Sequence, residues 1–239
     1  CFYDDVSHKS NQAQPKYWAL LLQAENAVIK WQTKTSQLSV LDSIALTRIS
    51  QSKQTILADY HHLTALKSNV SDDEQRFLLT SVGRLTEQKV LILLQPFNPT
   101  HATKIHASAK TVLEAILESL KKHQPNGVFM LLGSGDVNIA NALQATAARY
   151  DNFVLHGYDE ALSEQLYRLG SLFLMPSSFE PCGISQMLAM RAGQPCLVHG
   201  VGGLNDTIED NVSGWVFNGA TLATQGEALV ERFTRVIWQ

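Results

Sequence analysis

The sequence predicts an α/β fold, a doubly wound parallel sheet preceded by a helical or irregular N-terminal segment. From about residue 77 onward, short apolar runs alternate with amphipathic helical patterns, as expected for βαβ units. In that region nearly every glycine-bearing loop follows a predicted strand. All 14 glycines lie at or after Gly83, so the first third of the chain has a different character.

The N-terminal segment is assigned to residues 1–75 and the sheet domain to residues 76–239. Apolar residues recur close to helical spacing from Tyr17 to Trp31, and a second such run covers Ile56 to Leu66. These patterns indicate helices or irregular connections with few sharp turns. We interpret residues 1–75 as a remnant of a connection between domains.

The sheet domain is predicted as alternating strands and helices. The predicted strands are Phe77–Val82, Val128–Leu132, Phe153–His156, Leu172–Met175 and Pro195–Val198, and the predicted helices are Ala107–Lys122, Ile139–Tyr150, Glu160–Leu169 and Gly183–Ala192. The stretch from Gln95 to His106 is expected to be a surface insertion. Gly133-Ser134-Gly135-Asp136 is interpreted as a strand-to-helix turn with Asp136 as the helix cap. Ligands of such sheets bind where the strands end at their carboxyl edge.

Composition argues against several classes of function. The formal charge of −3, from 19 basic and 22 acidic residues, gives no basic excess for binding nucleic acid. No apolar run approaches the length that spans a membrane. The three cysteines and eight histidines show no metal-ligand spacing. We therefore expect a cytoplasmic protein without a metal and without a nucleic-acid or membrane partner.

The loop after Leu172–Met175 is the most informative stretch. It contains Glu180-Pro181-Cys182-Gly183 and leads into a helix, whose N-terminal N–H groups and dipole favour a phosphate. A carboxylate is unfavourable beside a phosphate, so Glu180 is expected to bind a neutral group with hydroxyls, such as a sugar. Phosphate and sugar together suggest a nucleotide sugar. Cys182 is interpreted as a small residue in a cramped loop rather than as a nucleophile.

Other loops at the same edge carry further candidates. Arg84 and Lys89 lie in the loop after the first strand, where they would neutralise a diphosphate, although alone they would be interpreted as solvated charges. Tyr158 follows the third strand and is placed either to stack on a nucleobase or to pack at a helix start. Gly202 and Gly203 let backbone amides approach a ligand, or simply form a turn.

With these residues in place, the chain from about Phe77 to Phe217 resembles the C-terminal half of glycogen and bacterial starch synthases. These are retaining glycosyltransferases of the two-domain GT-B fold, whose C-terminal half is Rossmann-like. The resemblance is carried by Arg84-Leu85-Thr86-Glu87-Gln88-Lys89, Ser177-Ser178-Phe179-Glu180-Pro181-Cys182-Gly183-Ile184-Ser185-Gln186 and Gly202-Gly203-Leu204-Asn205-Asp206-Thr207.

The resemblance implies a role for each candidate. Arg84 and Lys89 would hold the diphosphate and stabilise its charge as it leaves, and Glu180 would bind glucose hydroxyls; these are the predicted catalytic residues. The predicted substrate-binding residues are Tyr158, Cys182, Gly183, Ile184, Ser185, Gly202 and Gly203. The donor would be ADP-glucose or UDP-glucose, the acceptor an α-1,4-glucan, and no metal or other cofactor would be required.

Alternatives remain at this point. The family's N-terminal domain has no counterpart in residues 1–75, so we expect the acceptor to bind that missing domain and this chain alone to be inactive or very slow. A non-catalytic nucleotide-sugar- or glucan-binding regulatory module of the same fold is the main alternative, motivated by Val90 where the family usually has glycine. A sucrose- or trehalose-phosphate-type transferase is disfavoured by Leu188, which stands where such enzymes often carry a second glutamate.

Overall fold

The computed structural model describes residues 16–35, 39–65, 76–98, 106 and 108–238. The described strands are β1 (Leu78–Leu85), β2 (Val128–Gly135), β3 (Phe153–His156), β4 (Leu172–Met175), β5 (Cys196–His199) and β6 (Gly214–Phe217). The described helices are α1 (Lys16–Thr35), α2 (Val40–Ala65), α3 (Glu87–Leu94), α4 (Val112–His123), α5 (Val137–Arg149), α6 (Glu160–Leu169), α7 (Ser185–Arg191), α8 (Gly203–Thr207) and α9 (Leu222–Trp238).

All the strands pair in parallel, in the order β3-β2-β1-β4-β5-β6. The chain moves outward from β1 to β3, returns to the middle at β4 and then moves outward on the other side. This reversal between β1 and β4 is the topological switch point of a doubly wound sheet. The predicted fold class is confirmed.

Alternating side chains of the strands build one hydrophobic core on each face of the sheet. In β2, Met130 and Leu132 belong to the first core, whereas Phe129 and Leu131 belong to the second. This alternation follows from the pleat of a strand, which directs successive side chains to opposite faces. Both faces are covered, as parallel sheets require.

The N-terminal helices α1 and α2 cover the first core together with α6 and α7. Leu20, Leu21 and Ala24 of α1 are fully buried, and Ile49 of α2 packs into the same cluster. Helices α1 and α2 are therefore packed on the sheet domain. Residues 1–15, 36–38 and 66–75, which belong to the predicted N-terminal segment 1–75, lie outside the described residues.

Several element predictions need correction around the first crossover. Strand β1 continues to Leu85 rather than ending at Val82, because β2 runs beside it as far as Gly135 and keeps the ladder of hydrogen bonds paired. Helix α3 then follows, so the prediction that Arg84 and Lys89 lie in a loop is wrong: Arg84 belongs to β1 and Lys89 to α3. The apolar face of α3, with Val90 and Leu93 buried, explains why this short run is helical.

The structure also differs from the prediction around the expected surface insertion, Gln95 to His106. Helix α4 begins at Val112 rather than Ala107. The Thr111 side chain caps this helix by accepting a hydrogen bond from Glu114 N–H at 3.3 Å. Phe97 and His106 are buried, so the expected surface insertion is wrong at its ends; residues 99–105 lie outside the described part.

The turn predicted at Gly133-Ser134-Gly135-Asp136 is wrong for its first three residues, which belong to β2 and pair with β1. Asp136 accepts hydrogen bonds from the N–H groups of Asn138 and Ile139 at 2.8 and 3.0 Å. The predicted capping role is therefore confirmed. Strand β6 had no predicted counterpart; it starts with Gly214, and its two middle residues are only half-buried, unlike those of the equally short β4.

Candidate functional site

A cavity of about 310 Å³ opens at the carboxyl ends of β1 and β4, at the switch point of the sheet. It is lined by residues 81–85, Lys89, Val90, Leu131, 175–177, Glu180 and 182–185. Of the predicted site residues, the structure brings together Arg84, Lys89, Glu180, Cys182, Gly183, Ile184 and Ser185 here. Tyr158, Gly202 and Gly203 do not line the cavity.

Lys89 and Glu180 form an ion pair inside this cavity. Their side chains are 18% and 6% exposed, so both charges are largely removed from water. The loop that carries Glu180 is tied to the start of α3, because Ser178 N–H donates to the Gln88 carbonyl at 2.8 Å. The Ser177 hydroxyl is also 3.5 Å from Glu180 Oε2. A site with both a cation and a carboxylate can meet an anion and a hydroxyl group side by side.

Arg84 supplies a second cation to the cavity. Its side chain lies at the exposed end of β1, and within the described part of the chain it forms no ion pair. A guanidinium in this state can bind two oxygens of a phosphate without giving up an existing partner. Arg84 and the Ile184 loop therefore face one common space.

The loop from Cys182 to Ser185 is held by Gln186, whose role the sequence reasoning missed. The Gln186 side-chain amide donates to the Gly183 carbonyl at 2.9 Å and to the Thr207 hydroxyl at 3.1 Å. Gln186 is fully buried. An amide side chain at the start of an apolar helix is the sequence feature that could have indicated a structural role, because buried polar groups are hydrogen-bonded. Its contacts fix the backbone that lines the cavity.

Gly202 and Gly203 support the Glu180 loop from behind. Gly203 N–H donates to the Glu180 carbonyl at 2.9 Å. Gly202 has a φ of 47°, and a Cβ at this position would collide with the same Glu180 carbonyl. Glycine is thus required by both the backbone conformation and the close approach. The predicted contact of these glycines with a ligand stays a prediction.

His199 is a second buried group that sequence reasoning missed. Its Nδ1 donates to the Ser177 carbonyl at 2.9 Å, and its ring stacks on Phe217 with 5.1 Å between centroids. Burial lowers the pKa of His199, although the hydrogen bond to Ser177 partly opposes this. A neutral imidazole at the end of β5 therefore shapes the beginning of the Glu180 loop.

Tyr158 lies on the loop after β3, beside the cavity rather than in it. Its side chain is 62% exposed. Burial is the main cause that raises the pKa of the nearby Tyr167 phenol; Ser185 lowers that pKa and Tyr158 raises it further.

Among the described residues, no group of three or more His, Cys, Asp or Glu side chains could hold a metal ion. The helices of the described part include none with the length and apolar character needed to cross a membrane.

Comparison with known proteins gives the family. The family model described as "Glycosyl transferases group 1" matches residues 100–236, more than half of the chain. The chain belongs to the group 1 glycosyl transferases. A glycogen synthase from Haemophilus influenzae is 34% identical to it over 182 residues, which are 72% of this chain and 33% of that protein. A glycogen synthase from Halorhodospira halophila is 43% identical over 169 residues, 68% of this chain and 31% of that protein.

A solved structure supports the same relationship for this group 1 glycosyl transferase. The catalytic domain of starch synthase IV from Arabidopsis thaliana, bound to ADP and acarbose, superposes with a TM-score of 0.50 and 28% identity. The match covers 74% of this chain and 37% of that one. The predicted resemblance to the C-terminal domain of glycogen and starch synthases is confirmed. The chain spans about a third of the length of the curated relatives it matches.

Proposed function

We propose that this chain is the donor-binding part of a retaining glucosyltransferase that acts on an α-1,4-glucan, with ADP-glucose or UDP-glucose as donor. One observation carries the proposal: Lys89 and Glu180 meet in a cavity that Arg84 and the loop to Ser185 also line. The similarity to glycogen synthases and to a starch synthase domain solved with ADP supports the choice of donor class.

The chemistry of the cavity suits a diphosphate leaving group. Breaking the bond from glucose to the diphosphate places negative charge on phosphate oxygens, which Arg84 and Lys89 can stabilise in a site shielded from water. We propose that these cations take the role that a metal ion has in other phosphate chemistry. Glu180 would accept hydrogen bonds from glucose hydroxyls, which need an acceptor rather than a cation.

The proposed route to retention is attack on the same face as the departing diphosphate. A covalent glycosyl intermediate would need a second carboxylate placed across the sugar from an acid. Glu180 is the one carboxylate among the described residues that line the cavity, and it is already occupied by Lys89. The leaving phosphate itself is then the base nearest to an incoming glucan hydroxyl.

The acceptor is proposed to bind elsewhere in the whole protein. The matched relatives are about three times longer than their shared region, which occupies 33% and 31% of their lengths. We propose that this chain alone binds donor but transfers glucose slowly or not at all. A cytoplasmic setting, where nucleotide sugars and glucans are available together, fits this proposal.

Titration calorimetry on the chain tests the proposal with ADP, UDP and ADP-glucose. We expect dissociation constants in the ordinary range for such ligands, about 1 μM to 1 mM. Arg84→Ala should weaken ADP binding by about 10- to 100-fold, the value of a charge-assisted hydrogen bond. We choose Arg84 rather than Lys89 for this substitution, because removing the Lys89 charge would leave the buried Glu180 carboxylate without its partner.

Arg168→Ala is the matched control, since Arg168 is exposed on α6 and pairs only weakly with Glu164 at 4.0 Å. It should leave ADP affinity unchanged. Absence of binding by the folded wild-type chain to every one of these ligands would contradict the proposed function.

A further inference from the structure

The C-terminal part of α1 is fastened to the loop that carries Tyr158. The Trp31 indole N–H donates to the Tyr158 carbonyl at 2.9 Å. The indole ring also packs directly on Gly157, where a Cβ would lie 2.5 Å from ring atom Cδ2. A side chain from far earlier in the sequence therefore contacts the backbone of both Gly157 and Tyr158.

A second fastening lies one residue further along the loop. Asp159 is buried and accepts hydrogen bonds from Leu162 N–H at 2.9 Å and from Gln23 Nε2 at 3.3 Å. Lys30 Nζ lies 3.5 Å from its other oxygen. Burial would raise the pKa of Asp159, but these contacts outweigh it and lower the pKa overall. Asp159 thus caps α6 and ties it to α1 at the same time.

These contacts act on the backbone and leave the Tyr158 side chain exposed. An exposed aromatic ring on a fixed backbone is a preorganised stacking surface, because little freedom is lost when a flat ligand settles on it. Tyr158 follows β3, so it lies at the same carboxyl edge of the sheet as the cavity. A base attached to a diphosphate in the cavity could reach this surface.

We propose that Trp31 is a positioning residue for the nucleobase of the donor, acting through the Gly157–Tyr158 backbone. This inference rests on the proposed function. Helix α1 lies outside residues 100–236, the region that the family model matches. The N-terminal segment is then part of the donor site and contributes to base affinity, while the diphosphate is held by the cavity alone.

The test compares a ligand that has a base with one that lacks it. ADP and inorganic pyrophosphate are titrated into the wild-type chain, Trp31→Phe and Trp18→Phe. Trp31→Phe keeps a ring over Gly157 but removes the donor to the Tyr158 carbonyl. Trp18→Phe is the matched control, the same change on the same helix, where the indole packs on the first core near Lys53.

We expect Trp31→Phe to weaken ADP binding by about 3- to 10-fold, part of the roughly 5- to 150-fold that a full base–aromatic stack contributes. Pyrophosphate affinity should stay within about 2-fold of wild type, because the cavity residues are untouched. Trp18→Phe should change neither affinity. Unchanged ADP binding by Trp31→Phe, or an equal loss for both ligands, would overturn the inference, since equal losses mark a general effect on folding.

Gly157→Ala is an independent test of the positioning role of Trp31, because the added Cβ must displace the Trp31 indole ring. It should reproduce the selective loss of ADP affinity, and a loss shared by pyrophosphate would count against the positioning role. The wild-type titration separates the two proposals. If wild type binds neither ligand, the proposed function itself fails; if wild type binds ADP but the variants match it, only the role of Trp31 fails.

Discussion

Replacing Glu180 with glutamine should make the chain less stable and at the same time improve its binding of ADP. The substitution keeps the shape of the side chain but leaves the Lys89 ammonium without its counter-charge. Removing one partner of a fully buried ion pair costs about 3–5 kcal/mol. Because the Lys89 side chain is 18% exposed, water recovers part of this, and we expect a loss of about 2 kcal/mol.

That loss corresponds to a melting temperature lower by about 4–8 °C for a chain of this size. Glu164→Gln is the matched control, because Glu164 and its partner Arg168 are both 70% exposed and 4.0 Å apart. The control should cost less than about 0.5 kcal/mol. Differential scanning fluorimetry and urea unfolding measure both variants against wild type under the same conditions.

Ligand binding should move in the opposite direction for ADP. The Glu180→Gln variant frees Lys89 for the diphosphate and removes a negative charge from the cavity, so ADP affinity should rise by about 5-fold. ADP-glucose should gain less, because its glucose hydroxyls lose a charged acceptor. A variant as stable as Glu164→Gln, or one that binds ADP more weakly than wild type, would refute the view that this pair is buried and competes with phosphate.

Two further changes test how the Glu180 loop is supported. Gly202→Ala should lower the free energy of unfolding, measured with urea, by about 2–4 kcal/mol, because it adds a backbone collision to the strain of a positive φ. The control Gly193→Ala, with a φ of 85° and no atom within 4 Å of the new Cβ, should lower it by only about 1 kcal/mol. Equal losses in the two variants would show that the contact with the Glu180 carbonyl has no role. Burial lowers the pKa of His199, so the unfolded chain takes up the proton first and stability should fall as the pH drops below about 6.5. His199→Asn can still donate a hydrogen bond to the Ser177 carbonyl. Its melting temperature should fall less than that of wild type between pH 7.5 and pH 5.5, and the remaining fall should come from His106, whose pKa is also lowered by burial. An equal fall in the variant and in wild type would contradict this prediction.

Five of the six described strands were predicted from the sequence, because each of those five carries its own apolar run. The predicted strands Phe153–His156 and Leu172–Met175 coincide with β3 and β4. The end of β1 was missed because Gly83 and Arg84 look like a loop; they are held in the strand by pairing with Gly133 and Ser134, residues far along the chain. Such pairing is a tertiary effect that local pattern does not contain.

The candidate site was predicted to the extent that its residues lie at one edge of the sheet. The switch point brings the ends of β1 and β4 together, so Arg84 at the end of β1 and Ile184 in the loop after β4 share a cavity. The bracing groups were not predicted. Gln186 and His199 act through hydrogen bonds to backbone carbonyls, and a sequence does not show which carbonyl a buried polar side chain will meet.

The Lys89–Glu180 pair also bears on how the proposed site could remain folded without a donor. In a cavity with two cations and no anion, the two positive charges would repel each other and would lose part of their hydration energy. Glu180 compensates one of those cations in the free protein, while Arg84 stays at the open edge where water solvates it. Under the proposed function, an arriving donor would exchange this contact for two others: its diphosphate would take Lys89 and its glucose hydroxyls would take Glu180. The site would then bind a sugar and a diphosphate together better than either alone, because only the joined ligand satisfies both halves of the separated pair.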